Sequence, residues 1–408
     1  MTSTAERLAS WAHEFRPTDA DLELARRALL DTVAVTLAAR DSRMRTLTSG
    51  LPDAARWAAV GHVLDFDDLH LPSTAHISVV CVPATLATAG GAPAYLAGAG
   101  VMARLGTALG WAHYASGWHI TCTAGAPAAA VAAATALGLS EQQTAHAIAL
   151  AVPQAGGVQR AFGSDGEALQ VGLAADAGVR AARLAAAGAT ADPTALDQWP
   201  ELVGGNPASL DLGGPAVPGG LAIKLFPCCY ALQRPISAIR EALPRLDPDQ
   251  VRRVVVRTPA SSVQPLIHRR PTTGLQGKFS LEYAVAAALL DDHPGFASFT
   301  DEAVTRPEAQ RLTTMVDVRT EPGGEGLLNG AVAIELTTAD GTEYTADLDQ
   351  PPGSPRRPPT GAELREKLAA RGAEDLATLD WDGAGALLAR RDEARYEARD
   401  ETCHEATA

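Results

Sequence analysis

At 408 residues the chain exceeds what one hydrophobic core usually supports, and its 46% hydrophobic and 20% charged residues exclude wholesale disorder, so two domains are expected. A formal net charge of -14, with no lysine- or arginine-rich run, argues against nucleic acid and anionic lipid as partners. Five cysteines (Cys81, Cys122, Cys228, Cys229, Cys403) without CxxC spacing point to a reducing compartment. The N-terminal MTSTAERLASWAHEF lacks the apolar centre of a signal peptide, and apolar runs such as Ala126 to Leu137 are too short to span a bilayer, so a soluble, cytoplasmic protein is expected.

In chain order, Thr18 can cap a helix that places Leu22, Ala25, Leu29 and Val33 on one core-facing side. Residues 85 to 109 and 126 to 137 read as alanine- and leucine-rich helices, the second stopping near Gly138, and Ser140 with Gln143 opens another through a capping box. Residues 168 to 187 continue as helix through Gly172 and Gly178. From residue 196 the chain turns rich in Gly and Pro, as at a boundary. Val251 to Thr258 and Ala331 to Thr338 alternate as strands, and Asp340-Gly341 forms a hairpin turn before Thr342 to Leu348. After the proline-rich PPGSPRRPPT of residues 351 to 360, Ala362 to Ala370 and Ala386 to Ala398 read as helices that can rejoin the first domain.

Chemistry concentrates in Gly61 to Ser78, where Asp65, Asp67 and Asp68 accompany His62, His70 and His76 within eighteen residues. Proton transfer needs these residue types at a cleft; metal ligation and helix capping by the aspartates are the alternatives. His119, among small residues before a long alanine helix, is either a ligand-facing group or a cap. Lys224 in the apolar IKLFPCC is costly to bury without an anion, such as a bound carboxylate, unless it snorkels to the surface. Cys228 and Cys229 read as small buried thiols.

These blocks, in order, resemble the MmgE/PrpD family of 2-methylcitrate dehydratase and cis-aconitate decarboxylase relatives. HVLDFDDLHLPSTAH is similar to its "H-A-L-D-F-D-D-T-H" block, and GWHITCTAGAPAAAVAAATALGLSEQQTAHAIALA to its "G-F-H-x-T-x-T-A-G" helix pair. IKLFPCC and IHRRPTTGLQGKFSLEYAVAAALLDD follow, the latter near its "T-G-L-x-x-K-F-S-L-x-Y" block. The resemblance implies a mainly α protein: a large all-helical domain (1–222 and 356–408) with a smaller α+β lid domain (223–355). It further implies a homodimer, no organic cofactor or metal, and an acid–base lyase or isomerase working next to a carboxylate or carbonyl. Carried over by position, the catalytic set is Asp65, His76, His119 and Lys224, with Tyr283 as a hydroxyl donor. The substrate-contacting positions are Asp68, Leu69, Glu167, Gln170 and Gln233.

Several of these depart from the family pattern. Leu69 stands for a threonine, Gln233 for a histidine, Ile77 for a proline, and Glu167-Ala168-Leu169-Gln170 for "K-P-L-H". A cation has thus become an anion, which implies a less anionic, specialised-metabolite substrate. If the family's citrate-type dehydration or decarboxylation is kept, Glu167 is turned away and Arg160 or Arg234 replaces the lost cation. A metabolite-binding protein without turnover is the third reading.

Overall fold

A computed structural model describes residues 2–205, 210–369, 376 and 378–389. It is mainly α-helical with one small sheet, and among the described residues no helix is long and apolar enough to cross a membrane.

Helix α1 (Asp19–Ala38) starts at a capping box in which Thr18 and Asp21 bond each other's backbone amides. Ala25, Leu29 and Val33 are buried as expected, but Leu22 is 42% exposed. The helix is rolled so that Asp21 turns inward, where its carboxylate accepts the Ala216 amide. The long helix expected over 85 to 109 is two: α3 (Ser78–Leu86) and α4 (Ala92–Ala115), following α2 (Asp53–His62). Ala89 at φ 53 and the pair Gly90-Gly91 break the run between them.

Helix α5 (Gly125–Ala136) is mostly alanine and buried along nearly all its length, packed by α4, α6 (Glu141–Ala151) and α7 (Asp165–Ala186). Small side chains let these axes approach closely. A methyl added at Gly178 of α7 would lie 2.5 Å from Ala129 Cβ, and one at Gly172 would collide with the Ala55 carbonyl of α2. Each mid-helix glycine costs about 1 kcal/mol of helix propensity, and close packing offsets that cost.

Helix α8 (Tyr230–Ala242) and helix α9 (Leu281–Leu290) cover a four-stranded sheet with order β2-β1-β3-β4. The strands are β1 (Val251–Pro259), β2 (Val316–Glu321), β3 (Val332–Thr338) and β4 (Glu343–Leu348). The β3–β4 hairpin turns at Asp340-Gly341, Gly341 having φ 83. The strand missing from the sequence reading, β2, is one of the two edge strands; it pairs parallel with β1 in register Val254 to Val316, and its VDVRTE is too polar to announce a core strand.

Among the described residues two large hydrophobic cores result, with a small third cluster of Ala39, Met44, Ala59, Val60 and Ala168 beside them. The first is built by the N-terminal helices and also takes in Ala384 and Leu388; the second runs from Phe226 to Ala346 and takes in Phe162. Helix α10 (Gly361–Ala369) and residues 381–389 are helical; the remainder of the helix expected over Ala386 to Ala398 lies outside the described residues.

Candidate active site

The dense polar block lies where the cores meet. His62 ends α2, and the following loop holds Asp65 at φ 47, a left-handed conformation that costs a non-glycine residue about 1 kcal/mol. Lysines meet that cost. Lys278 donates to the Leu64 carbonyl (2.8 Å), Lys224 to the Asp65 carbonyl (2.8 Å) and Lys367 to the Phe66 carbonyl (2.9 Å). Three consecutive carbonyls are thus each held by a buried ammonium from the later half of the chain. Lys224 also forms a salt bridge with Asp65 Oδ1, and it is brought there by a two-bond bridge between Leu69 and Ala222.

Asp67 is the hub. Its Oδ2 lies 3.0 Å from His62 Nδ1 and 2.8 Å from His76 Nδ1. Burial raises the Asp67 carboxyl, but the two imidazoles outweigh this and hold it well below the usual range. Burial opposes charge on His62, yet Asp67, helped by Glu167 and Asp65, carries its pKa up to about 9. His76 is pushed down by burial and by Lys224 and His62, so it is neutral at neutral pH. Since ionised Asp67 only accepts, His76 carries its proton on Nδ1 and leaves Nε2 as a free base, 3.8 Å from Asp65 Oδ1.

His119 has the opposite tautomer. Gln170 Oε1 accepts the Val158 amide (2.9 Å), which fixes its amide so that Nε2 donates to His119 Nδ1 (2.8 Å). Burial, with His62 and His76, drives the His119 pKa well down, so this imidazole is neutral with its proton on Nε2. One histidine is therefore set as an acceptor and the other as a donor.

Asp65, Leu69, His76, His119 and Glu167 line one small cavity, closed from the second core by Cys229, Pro265 and Phe279. Its volume is about 20 Å³, room for about one water. Burial and the nearby Asp65 raise Glu167 to about 8, so it is neutral near pH 7; its Oε2 accepts the Gly163 amide (3.2 Å). Lys224 is held charged against burial by Asp65 and Asp67, while burial lowers Lys278 to about 8.

Other expected contacts lie elsewhere. Asp68 turns away, accepting the Ser78 amide and hydroxyl at the start of α3, the capping alternative. Gln170 does not line the cavity and instead orients His119. Gln233 binds the amides of Leu225 and Phe226 and the Phe226 carbonyl, fixing the turn after Lys224. Tyr283 donates its hydroxyl to the Ser298 carbonyl inside the second core. Arg160 is exposed, and Arg234 is engaged by Gly330 O and Ser262 Oγ, so neither replaces a cation at the cavity. Conversely, Lys278 joins the site although it was not singled out. Its signal was the one used for Lys224: a lysine within a buried, largely apolar block.

His62, Asp65, Asp67 and His76 place possible metal-ligand atoms within 4.8 Å of one another. Asp65 Oδ1 is already bound by an ammonium, and Asp67 Oδ2 is shared by two imidazoles. That donor set is engaged in ion pairing and proton sharing, with His62 Nε2 and Asp65 Oδ2 left without a hydrogen-bond partner among the described residues.

The MmgE/PrpD N-terminal domain matches residues 48–200, and the MmgE/PrpD C-terminal domain residues 226–377. The cis-aconitate decarboxylase of Homo sapiens is 27% identical over 366 residues, 80% of this chain and 73% of that protein. The cis-aconitate decarboxylase of Aspergillus terreus (strain NIH 2624 / FGSC A1156) is 28% identical over 335 residues, 71% and 68%. That of Mus musculus is 26% identical over 353 residues, 77% and 70%.

Proposed function

Because the chain belongs to the MmgE/PrpD family, we propose that it is a cofactor-independent acid–base lyase or isomerase acting next to a carboxylate or carbonyl, on a substrate less anionic than a tricarboxylate. The carrying observation is the pair of opposed tautomers at one cavity: His76 with Nε2 free, His119 with Nε2–H to donate. His76 takes a proton next to the carbonyl, and His119 and charged Lys224 stabilise the enolate-like charge that develops. Asp65 orients Lys224 and lies beside the base. Glu167 at the cavity wall supports the less anionic substrate, since a neutral carboxyl there offers no cation to pair with an added substrate carboxylate.

The second reading, decarboxylation of cis-aconitate itself, is favoured by the similarity to cis-aconitate decarboxylases. Proton NMR in deuterated buffer separates the two, with cis-aconitate, 2-methylcitrate, 3-butenoate and crotonate as probes and His76→Ala as control. The proposal expects deuterium uptake or product from a monocarboxylate with the unsubstituted protein only. Turnover confined to cis-aconitate establishes the second reading, and no exchange with any of these acids sinks both.

A further inference from the structure

Glu167 stands in the first turn of α7 and lines the cavity, with Oε1 3.8 Å from His62 Nε2. His62 itself does not line the cavity. It sits behind the wall with Nδ1 on Asp67, while Nε2 is buried without a hydrogen-bond partner among the described residues. Asp65 Oδ2 is buried in the same way. Unpartnered polar atoms around a cavity are what an acid–base site presents before its substrate or a proton arrives. The mechanism above uses His76 as base but assigns no group to return a proton to carbon.

We propose that Glu167 is the proton-donating acid of this site, backed by His62, so that two groups run the reaction: His76 removes a proton and Glu167 supplies one. The inference rests on the acid–base reading above. A C–H bond next to the carbonyl breaks; its proton goes to His76 Nε2 and its electron pair into the conjugated carbonyl. The Glu167 O–H bond then breaks, and that proton forms a C–H bond at another carbon or leaves with a hydroxyl group as water. His76 ends with one proton more and Glu167 with one fewer, and exchange with solvent resets both when the site opens.

The groups facing Glu167 agree with this role. Asp65 favours its protonated form, whereas His62, Lys224 and Lys278 favour ionisation; Cys122 and Tyr114, also adjacent, stay neutral because burial pushes them well up. His62, charged through Asp67, is thus the counter-charge that makes the carboxylate left after donation tolerable.

The test uses the full chain in deuterated buffer with 3-butenoate and cis-aconitate. Glu167→Gln, an isosteric mimic of the protonated acid, should lose product formation at least about 100-fold, the scale of general-acid catalysis. It should still wash deuterium into the position His76 deprotonates. Rate should fall in the unsubstituted protein as pH rises past about 8, where the acid ionises. His62→Gln should move that limb to higher pH, because a cation that favours ionisation is gone. Full product formation by Glu167→Gln, or an unmoved limb in His62→Gln, overturns the proposal and leaves the acid–base reading standing. If neither acid exchanges even in the unsubstituted protein, the functional reading fails and NMR of protein carrying 13C-carboxyl glutamate and 15N-histidine decides. Linked titration of Glu167 and His62 retains the pair; a Glu167 ionised at pH 6, with His62 indifferent to Glu167→Gln, removes it.

Discussion

Neighbouring aspartates in one loop carry opposite chemistry because one has cationic partners and the other does not. Asp67 faces two imidazoles and stays ionised, whereas Asp68, buried against Ser78 and Tyr95 and near Asp31, is pushed up to about 7. A carboxyl whose folded pKa lies above its unfolded value of 3.8 costs nothing below 3.8. Its penalty grows as pH rises from 3.8 and levels off above about 7. Asp68→Asn removes that penalty while keeping a partner for Ser78, so its Tm advantage should be absent near pH 4 and roughly a few degrees at pH 8. Calorimetry at both pH values checks this, and an advantage that shrinks with rising pH refutes the neutral Asp68. Glu167 offers a second single-residue test. Glu167→Lys places an ammonium beside Asp65 at the cavity wall and should raise kcat/KM for cis-aconitate relative to 3-butenoate at least about tenfold, the worth of one charge contact. Steady-state kinetics on both acids reads it; an unchanged ratio means that Glu167 does not set the preference.

At the scale of elements, the loop from Leu64 to Phe66 is shaped less by its own sequence than by three lysines from the later half of the chain. Lys367 is the most remote: its ammonium bonds the Phe66 carbonyl, stands 4.4 Å from the Phe66 ring and pairs with Asp31 at 2.6 Å. Lys367→Met breaks a buried ion pair, which costs about 3–5 kcal/mol. Adding Asp31→Asn should restore much of that stability but not the loop. Amide exchange in residues 63–70 should therefore stay at least about tenfold faster in the double variant, while α5 keeps its protection. Equal recovery of both would reduce Lys367 to a stabilising pair. This arrangement also explains what could be read from sequence. Capping boxes at Thr18 and Ser140, the Gly138 stop and the 3.6-residue periodicity are local, so those helices were legible. The cluster around Asp65 was legible from its density of acids and histidines. The roles inside it were not, because which histidine accepts and which donates depends on Asp67 and on Gln170, the latter 51 residues from its partner His119. Gln233 and Tyr283 were carried over by position alone, and packing gives each a backbone carbonyl or amide instead.

For the whole molecule, a cavity of about 20 Å³ between two cores must widen before any carboxylic acid can enter. The first half of the chain meets the second where His268 Nε2 donates to the Phe162 carbonyl (2.9 Å), Phe162 itself packing into the second core, and where Gln264 reaches the Ala115 carbonyl (3.4 Å). Gly163 makes the first contact possible. Its φ of 78 is left-handed, and a methyl group there would stand 2.5 Å from His268 Nε2 and 3.2 Å from Gln276 Cα. The Gly163→Ala variant should therefore favour a parted arrangement: kcat should fall, because His76, His119 and Glu167 no longer meet closed walls, and amide exchange over residues 264–279 should rise. The backbone strain costs about 1 kcal/mol by itself, so the discriminating variant is the double one, Gly163→Ala with His268→Ala, which keeps the strain but removes the side chain the methyl strikes. If the contact governs closure, the double variant should regain protection over 264–279 relative to Gly163→Ala alone. Strictly additive effects in this cycle would mean that the two substitutions act separately, and that the cavity opens somewhere other than at this contact.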